Sequence, residues 1–362
     1  MKQDEYKIKE TRPFIIPVFI MNRGCPQSCV FCNQGISAGS YPADITREYF
    51  DFHIRNHLNS RKNQSSDVQI AFYGGNFTGL CSDYQKMLLE WANAYIDSGY
   101  VSSLRISTRP DYISRSILNT LKEYNVTTVE LGAQSFVDKV LFCAQRGHTA
   151  SRINEAMELL KEFSFQISLH LMAGLPEDSK EGFIYSLHKT MKAKPDMVRV
   201  NPVIVFKNTV LADFFRQGKY TPLGISEAVD LCALAYEILN PAGVRIIRFG
   251  LHLSDEMKQE GAVLAGPIHE SFGSLVLSAI YLKRTIALLA DVKPVTGKIR
   301  FLLSPHDISN FTGFRKSNIE TIHKVYPSVN FVVESSLSQH RGNISVYSGN
   351  YEIISANLSG IA

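Results

Sequence analysis

The longest apolar run in the 362 residues, FIIPVFIM at 14 to 21, is far too short to cross a bilayer, which takes about 20 residues in a helix. The opening MKQDEYKIKETR alternates charge and polarity and holds no apolar stretch of the kind a secretory leader needs. No block of Lys or Arg concentrates the net charge of +4, so nucleic acid is permitted by the composition and not demanded. No internal repeat or low-complexity segment is visible, which excludes a repeat array. Cysteine is scarce, with six in all. These absences point to a soluble, cytoplasmic protein, and in reducing surroundings a cysteine cluster serves metal binding or catalysis before a disulfide framework. What remains is ordinary: 45% apolar and 20% charged residues, on a chain long enough to bury a sizeable core. One large α/β domain, or one large and one small, is the natural plan.

From the N-terminus to about residue 250, short β-branched or aromatic runs alternate with segments of helical period, the pattern of repeated β-α units around a parallel sheet. The candidate strands are Phe14 to Met21, Val68 to Tyr73, Ser103 to Thr108, Thr128 to Gln134, Gln166 to Met172 and Met197 to Ile204. Six strands make either a doubly wound sheet or an incomplete barrel. Ser82 with Gln85 forms a capping box ahead of the stripe Tyr84, Leu88, Trp91, Tyr95, and Asp178 with Glu181 opens another helix. Pro17 removes a ladder donor, so the first strand is expected to be bulged or shorter than its apolar run. After VRIIRFGLH (244 to 252) the pattern changes: an AGP turn leads into an apolar helix near Phe272 to Leu289, then a small β-α-β-β-β unit. The expected division is 1–252, a helical connection 253–290, and a small α+β domain 291–362.

Three of the six cysteines fall in RGCPQSCVFCNQ, residues 23 to 34. Structural zinc normally takes four protein ligands, yet no fourth cysteine and no histidine lies between residues 1 and 52. A [4Fe–4S] cubane with three cysteines keeps one iron open for a non-protein ligand. Three incidental buried cysteines are the plain alternative, but free cysteines seldom cluster without a redox or metal reason. Cys81, Cys143 and Cys232 stand apart from one another, and packing accounts for them. The spacing C-x3-C-x2-C, with aromatic Phe31 before the last cysteine, resembles the signature of the radical S-adenosylmethionine (radical SAM) superfamily. The resemblance implies a [4Fe–4S] cluster on Cys25, Cys29 and Cys32 whose open iron takes the amino and carboxylate groups of S-adenosylmethionine. Reductive cleavage would then give methionine and a 5′-deoxyadenosyl radical that abstracts a substrate hydrogen.

In barrel-type α/β folds the ligand sits at the carboxyl ends of the strands. The second strand ends in Gly74, Gly75 and Asn76, where backbone can approach a ligand closely; a plain turn is the bland alternative. The resemblance makes this backbone the holder of the methionine amino group, though the superfamily often has Glu or Thr where Asn76 stands. It assigns Gln134 and Arg146 to the ribose and the methionine carboxylate, and it places Ser107 and His170 facing the same pocket. Gly174, Leu175 and Pro176 would shape the loop at the adenine end. Arg146 suits a carboxylate, being always charged and able to bind it bidentately. Alone, each of these residues reads as a surface or cap residue, and Arg146 with Gly147 as a helix C-terminus.

STRPDYI, VELGAQS, RGHT, KPDMVRVNPVIVFKNTVL and GKYTPL together resemble the radical SAM domain of the catalytic subunit of Elongator and its bacterial relatives, over roughly residues 10 to 250. The implied fold is a partial (β/α)6 TIM-like barrel with a small C-terminal α+β unit. Elongator's enzyme modifies the wobble uridine of tRNA and carries an acetyltransferase domain. The roughly 110 residues after position 250 are few for such a domain. Gln339, His340, Arg341 and Gly342 resemble a pyrophosphate loop, but the next segment alternates like strands, so QHRG reads as a hairpin turn. A more distant resemblance to oxygen-independent coproporphyrinogen oxidase keeps a small substrate such as a tetrapyrrole open. A noncatalytic iron–sulfur or zinc protein is the alternative from another class. The implied partners are S-adenosylmethionine, an electron donor such as a flavodoxin or ferredoxin, tRNA on the Elongator side, and no membrane. Arg109, Arg115, Arg245 and Arg248 are the available positives for RNA, against the plain alternative of a solvated face.

Overall fold

The structure, a computed structural model, describes residues 13–21, 23–26, 29–37, 39, 41–42, 44–61, 67–292 and 297–358. Seven parallel strands hydrogen-bond in chain order: β1 (Phe14–Phe19), β2 (Val68–Tyr73), β3 (Ser103–Thr108), β4 (Val126–Gln134), β5 (Gln166–Ala173), β6 (Met197–Pro202) and β7 (Arg245–Phe249). Parallel neighbours need crossovers, and the helices fill them. The fold is the expected partial TIM-like α/β barrel, with one strand more than the sequence pattern supplies. RIIRF at 245–249 is short and carries an arginine at each polar position, so it reads as the end of the pattern; beside β6 it completes the sheet edge. Among the described residues no helix is long and apolar enough to cross a membrane.

Chain packing divides the described residues into two compact units. The first takes the described residues within 1–28, 34–133 and 151–168; the second takes those within 29–33, 134–150 and 169–362.

In the first unit, β2 alternates Ile70 and Phe72 with Gln69 and Tyr73. Phe72 stacks on Phe50 of α1 (Arg47–Ser60) at 6.4 Å and meets Phe77 at 5.0 Å, and all three rings are fully buried. Each contributes about 1.5–3 kcal/mol by leaving water. The polar residues form a buried network across three strands. Tyr73 donates its hydroxyl hydrogen to Glu130 at 2.8 Å, and Arg105 Nη1 pairs with the same carboxylate at 2.9 Å. Arg105 also donates through Nε and Nη2 to Gln69 Oε1 at 3.1 and 3.0 Å, and Gln69 donates to Ser103. Such a pair adds little net stability, but losing one partner would strand a buried charge at a cost of about 3–5 kcal/mol, so it holds β2, β3 and β4 in register.

Pro17 lies on the sheet edge, where its missing N–H deprives no neighbour; β1 stops at Phe19 and keeps an unbulged register with β2. The expected capping box at Ser82 does not form. Cys81 is the cap residue of α2 (Ser82–Asp97), and Gln85 Nε2 donates instead to the carbonyls of Thr78 and Leu80. At the later helix, α3 (Lys180–Ala193), Ser179 rather than Asp178 is the N-cap, its hydroxyl accepting from Gly182 N–H.

The second unit includes a four-stranded sheet, order β9-β8-β10-β11, from β8 (Gly297–Leu303), β9 (Val329–Ser335), β10 (Asn343–Ser348) and β11 (Tyr351–Asn357). β9 runs parallel to β8 on one side and β10 antiparallel to it on the other. QHRG therefore lies in a crossover loop and is not the hairpin turn the alternation suggests. Alternation reports strands without saying which are neighbours. The loop is pinned by the fully buried carboxylate of Asp307, which accepts from Gly342 N–H at 2.7 Å.

Candidate functional site

Within the first unit, the chain leading to Cys25 lies directly on the end of β2. A Cβ at Gly75 would stand 2.6 Å from Arg23 O, and one at Gly24, where φ is +72°, would stand 2.1 Å from Asn76 O. Glycine is required at both because two backbones touch there. Gly79 closes the same contact, with Gly24 O 2.2 Å from where its Cβ would be. The glycine pair, expected to face a ligand, thus also has the cysteine loop against it.

Asn76 is fully buried. Its N–H donates to Arg23 O at 3.0 Å and Nδ2 donates to Gly24 O at 2.7 Å. Oδ1 accepts from Thr108 Oγ1 at 2.8 Å and from Arg109 N–H at 3.1 Å. Ser107, half-buried on β3, stands in register with Glu130.

Within the second unit, Cys29 is buried at the edge of an apolar nest in which Val30 packs among Val140, Ala144, Val203 and Leu211. Backbone bonds fix it: Val30 N–H to Ala144 O at 3.2 Å, Leu211 N–H to Val30 O at 2.8 Å, and Cys32 N–H to Cys29 O at 3.0 Å. Arg146, 6% exposed, donates through Nη1 to Cys29 Sγ at 3.0 Å. Gln145, next to Arg146 in the chain, has φ +54°, and Gln134, at the end of β4, has φ +70°. Non-glycine residues held in that region cluster at functional sites. His170 is half-buried on β5. Gly174, at φ +81°, has Leu223 2.7 Å from where its Cβ would be, and its carbonyl accepts from Tyr220 OH at 2.6 Å. Asp178, beyond the turn, has its carboxyl pushed up to about 6 by burial. Burial, and then the charge of Asp178, pushes the Tyr220 phenol up as well.

Cys25, Cys29 and Cys32 are all outside any disulfide. Among the described residues no three His, Cys, Asp or Glu side chains converge as a site for one metal ion. The arginines expected to serve RNA divide. Arg109 is buried, pairs with Asp111 at 2.8 Å and lies over the Tyr112 ring, so it offers no charge to a phosphate; Arg115 is paired with Glu162 on the surface. Sequence pattern misses the Tyr73–Glu130–Arg105 network, whose only signal is one charged residue in the interior of each of two neighbouring strands, SLRIST and VTTVELGAQ.

Two family models match the chain: the Radical SAM superfamily over residues 19–189 and the Radical_SAM C-terminal domain over 195–282. The chain belongs to the radical SAM superfamily. It is an enzyme of that superfamily, whose cofactors are a [4Fe–4S] cluster and S-adenosylmethionine. It is similar to the tRNA uridine(34) acetyltransferase of Methanocaldococcus jannaschii, 26% identical over a 272-residue alignment, with 65% of this chain and 50% of that one covered. It is also similar to human Elongator complex protein 3, 26% identical over 195 residues covering 48% of this chain and 36% of that protein. The radical SAM chain thus spans about half the length of the archaeal relative it matches. Among solved structures it resembles the archaeal Methanocaldococcus infernus Elp3 with an N-terminal deletion, TM-score 0.57 at 22% identity, covering 76% of this chain and 64% of that one, which speaks to the fold.

The residues present fit the cofactors. Three thiols stand within eight positions of the sequence, and within the second unit the permanent positive charge of Arg146 lies against Cys29 Sγ, where it would offset the negative charge of a thiolate ligand.

Proposed function

We propose that the chain is a radical SAM enzyme that activates a carbon–hydrogen bond of a tRNA nucleoside, a uridine by kinship with the relatives above. Cys25, Cys29 and Cys32 would hold the cluster; Gly74, Gly75, Asn76, Ser107, Gln134, Arg146, His170 and Gly174 are the residues that the resemblance assigns to S-adenosylmethionine. When bound, the two cofactors supply a 5′-deoxyadenosyl radical. The protein's own work is binding, orientation and exclusion of water. Arg146 brings a fixed, buried guanidinium to the cysteine loop and suits a carboxylate. Gln134, held in a left-handed backbone at the end of β4, is the residue proposed for the ribose, and Tyr220 secures the turn that starts at Gly174. The observation that carries this reading is the Arg146–Cys29 contact: it joins the metal-ligand motif to the residue assigned to the cofactor's carboxylate, two features 117 positions apart in the chain.

The test uses protein reconstituted anaerobically with iron and sulfide, then given dithionite, S-adenosylmethionine and an unmodified tRNA transcript carrying deuterated uridine. The expected result is 5′-deoxyadenosine that contains deuterium, and a loss of at least about 100-fold in its formation with Cys29→Ser. Undiminished release from Cys29→Ser would overturn the mechanism. Release without deuterium would overturn the uridine assignment and leave the mechanism standing.

A further inference from the structure

We propose that Asn76 is a positioning residue for the cluster: its side chain fixes where Gly24, and with it Cys25, sits on the ends of β2 and β3. The inference rests on the radical SAM reading above and adds a role for this side chain.

The chemistry at the two ends of the Asn76 amide is opposite. Gly24 O can only accept, so it faces Nδ2 at 2.7 Å; Arg109 N–H can only donate, so it faces Oδ1 at 3.1 Å, with Thr108 Oγ1 donating beside it at 2.8 Å. The partners therefore settle which end is nitrogen and which is oxygen. A glutamate here would bring acceptors alone and could not donate to Gly24 O, and threonine is too short to reach both sides. Only an amide of this length joins three segments: the cysteine loop, the end of β2 and the end of β3. The side chain is fully buried, and Gly24 and Gly79 have no room for a Cβ, so the loop has no slack on this face.

The experiment compares hydrogen–deuterium exchange over residues 23–26 with the rate at which an iron chelator strips the reconstituted cluster, in full-length wild type, Asn76→Ala and Leu104→Ala. Leu104 is fully buried on β3 and lies outside these hydrogen bonds, so its truncation lowers stability without touching them. Losing the Asn76 side chain is expected to speed exchange at Gly24 and Cys25 about tenfold, with iron release rising by a similar factor. Leu104→Ala should lower the melting temperature and change neither rate. Normal protection in Asn76→Ala, or an equal rise in Leu104→Ala, overturns the proposal. Should Asn76→Ala fail to fold, Asn76→Asp keeps the acceptors and removes the donor facing Gly24 O; faster exchange supports the role and normal protection overturns it. If the wild type takes up no iron and sulfide, the radical SAM reading fails, while the exchange measurement still decides the role of Asn76.

Discussion

Gly24, beside Cys25, is held by a single buried amide and by glycines whose missing side chains let two backbones touch; Val30, beside Cys29, is held by an apolar nest and two backbone hydrogen bonds. Both cysteines belong to one motif that spans eight residues from Cys25 to Cys32, yet different physics secures their neighbours. Hydrogen bonds of the first kind are directional and contribute about 1 kcal/mol each, so they set a position more than they stabilise it. Apolar burial of the second kind is non-directional and larger, so it stabilises and leaves fine placement to the backbone. The motif is thus placed at one end and weighted down at the other.

The largest test of that contrast is Leu211→Ala. Leu211 is fully buried in the nest, and its truncation should cost about 2–5 kcal/mol, read from the urea midpoint at constant slope. Its N–H remains to bond Val30 O, so the loss reports packing alone. A cost under about 1 kcal/mol would mean the nest collapses around the gap, and the second stretch would then owe its place to the backbone bonds.

A middle-sized effect follows from Asp178, which shares the second unit with the nest. Burial pushes its carboxyl up to about 6, against about 3.9 in an unfolded chain. The folded state therefore binds the proton more tightly than the unfolded one. The associated stability is complete below about pH 4 and is lost as pH rises through about 6, roughly 2–3 kcal/mol in all. Asp178→Asn cannot ionise, so it should match the wild type at pH 4 and be the more stable of the two at pH 7.5. Melting curves across that range check it; a constant difference would show that Asp178 is solvated. The Asn76 amide, bonded at both ends, carries no such penalty.

How much of this was legible in the sequence depended on how local each cause is. The strands Val68–Tyr73 and Ser103–Thr108 were readable to the residue, because apolar side chains recur at every second position (Val68, Ile70, Phe72; Leu104, Ile106) and turn residues follow each. The cysteine spacing was readable because its chemistry lies within ten residues. β7 was not, since RIIRF is a short, partly exposed edge strand whose two arginines, three positions apart, break the period of two. The helix caps were placed one or more residues off where a neighbouring hydroxyl or a glutamine found a closer backbone partner, as Ser179 and Gln85 do. Asn76 reads as an odd residue after two glycines. Its meaning depends on Gly24, 52 positions earlier, and Thr108, 32 positions later, and no periodicity reports such a meeting. Glu130 and Arg105 were hidden for the same reason: each looks like a surface charge until β3 and β4 lie side by side.

The smallest expected effect sharpens the contrast most. Thr108→Val keeps the shape of the side chain and removes the hydroxyl that donates to Asn76 Oδ1 and meets Thr78 Oγ1. Arg109 N–H still donates to Oδ1, so the Asn76 oxygen is not orphaned, while the buried Thr78 hydroxyl loses its bond to Thr108, and the cost should be about 1–3 kcal/mol. The arm from Nδ2 to Gly24 O is untouched, so amide exchange at Gly24 and Cys25 should stay at the wild-type rate. If Thr108→Val instead frees these amides as far as Asn76→Ala does, the three hydrogen bonds act as one cooperative unit. The first stretch would then be held by the β3 strand end acting through the amide, and the placing role would belong to Thr108 and Asn76 together.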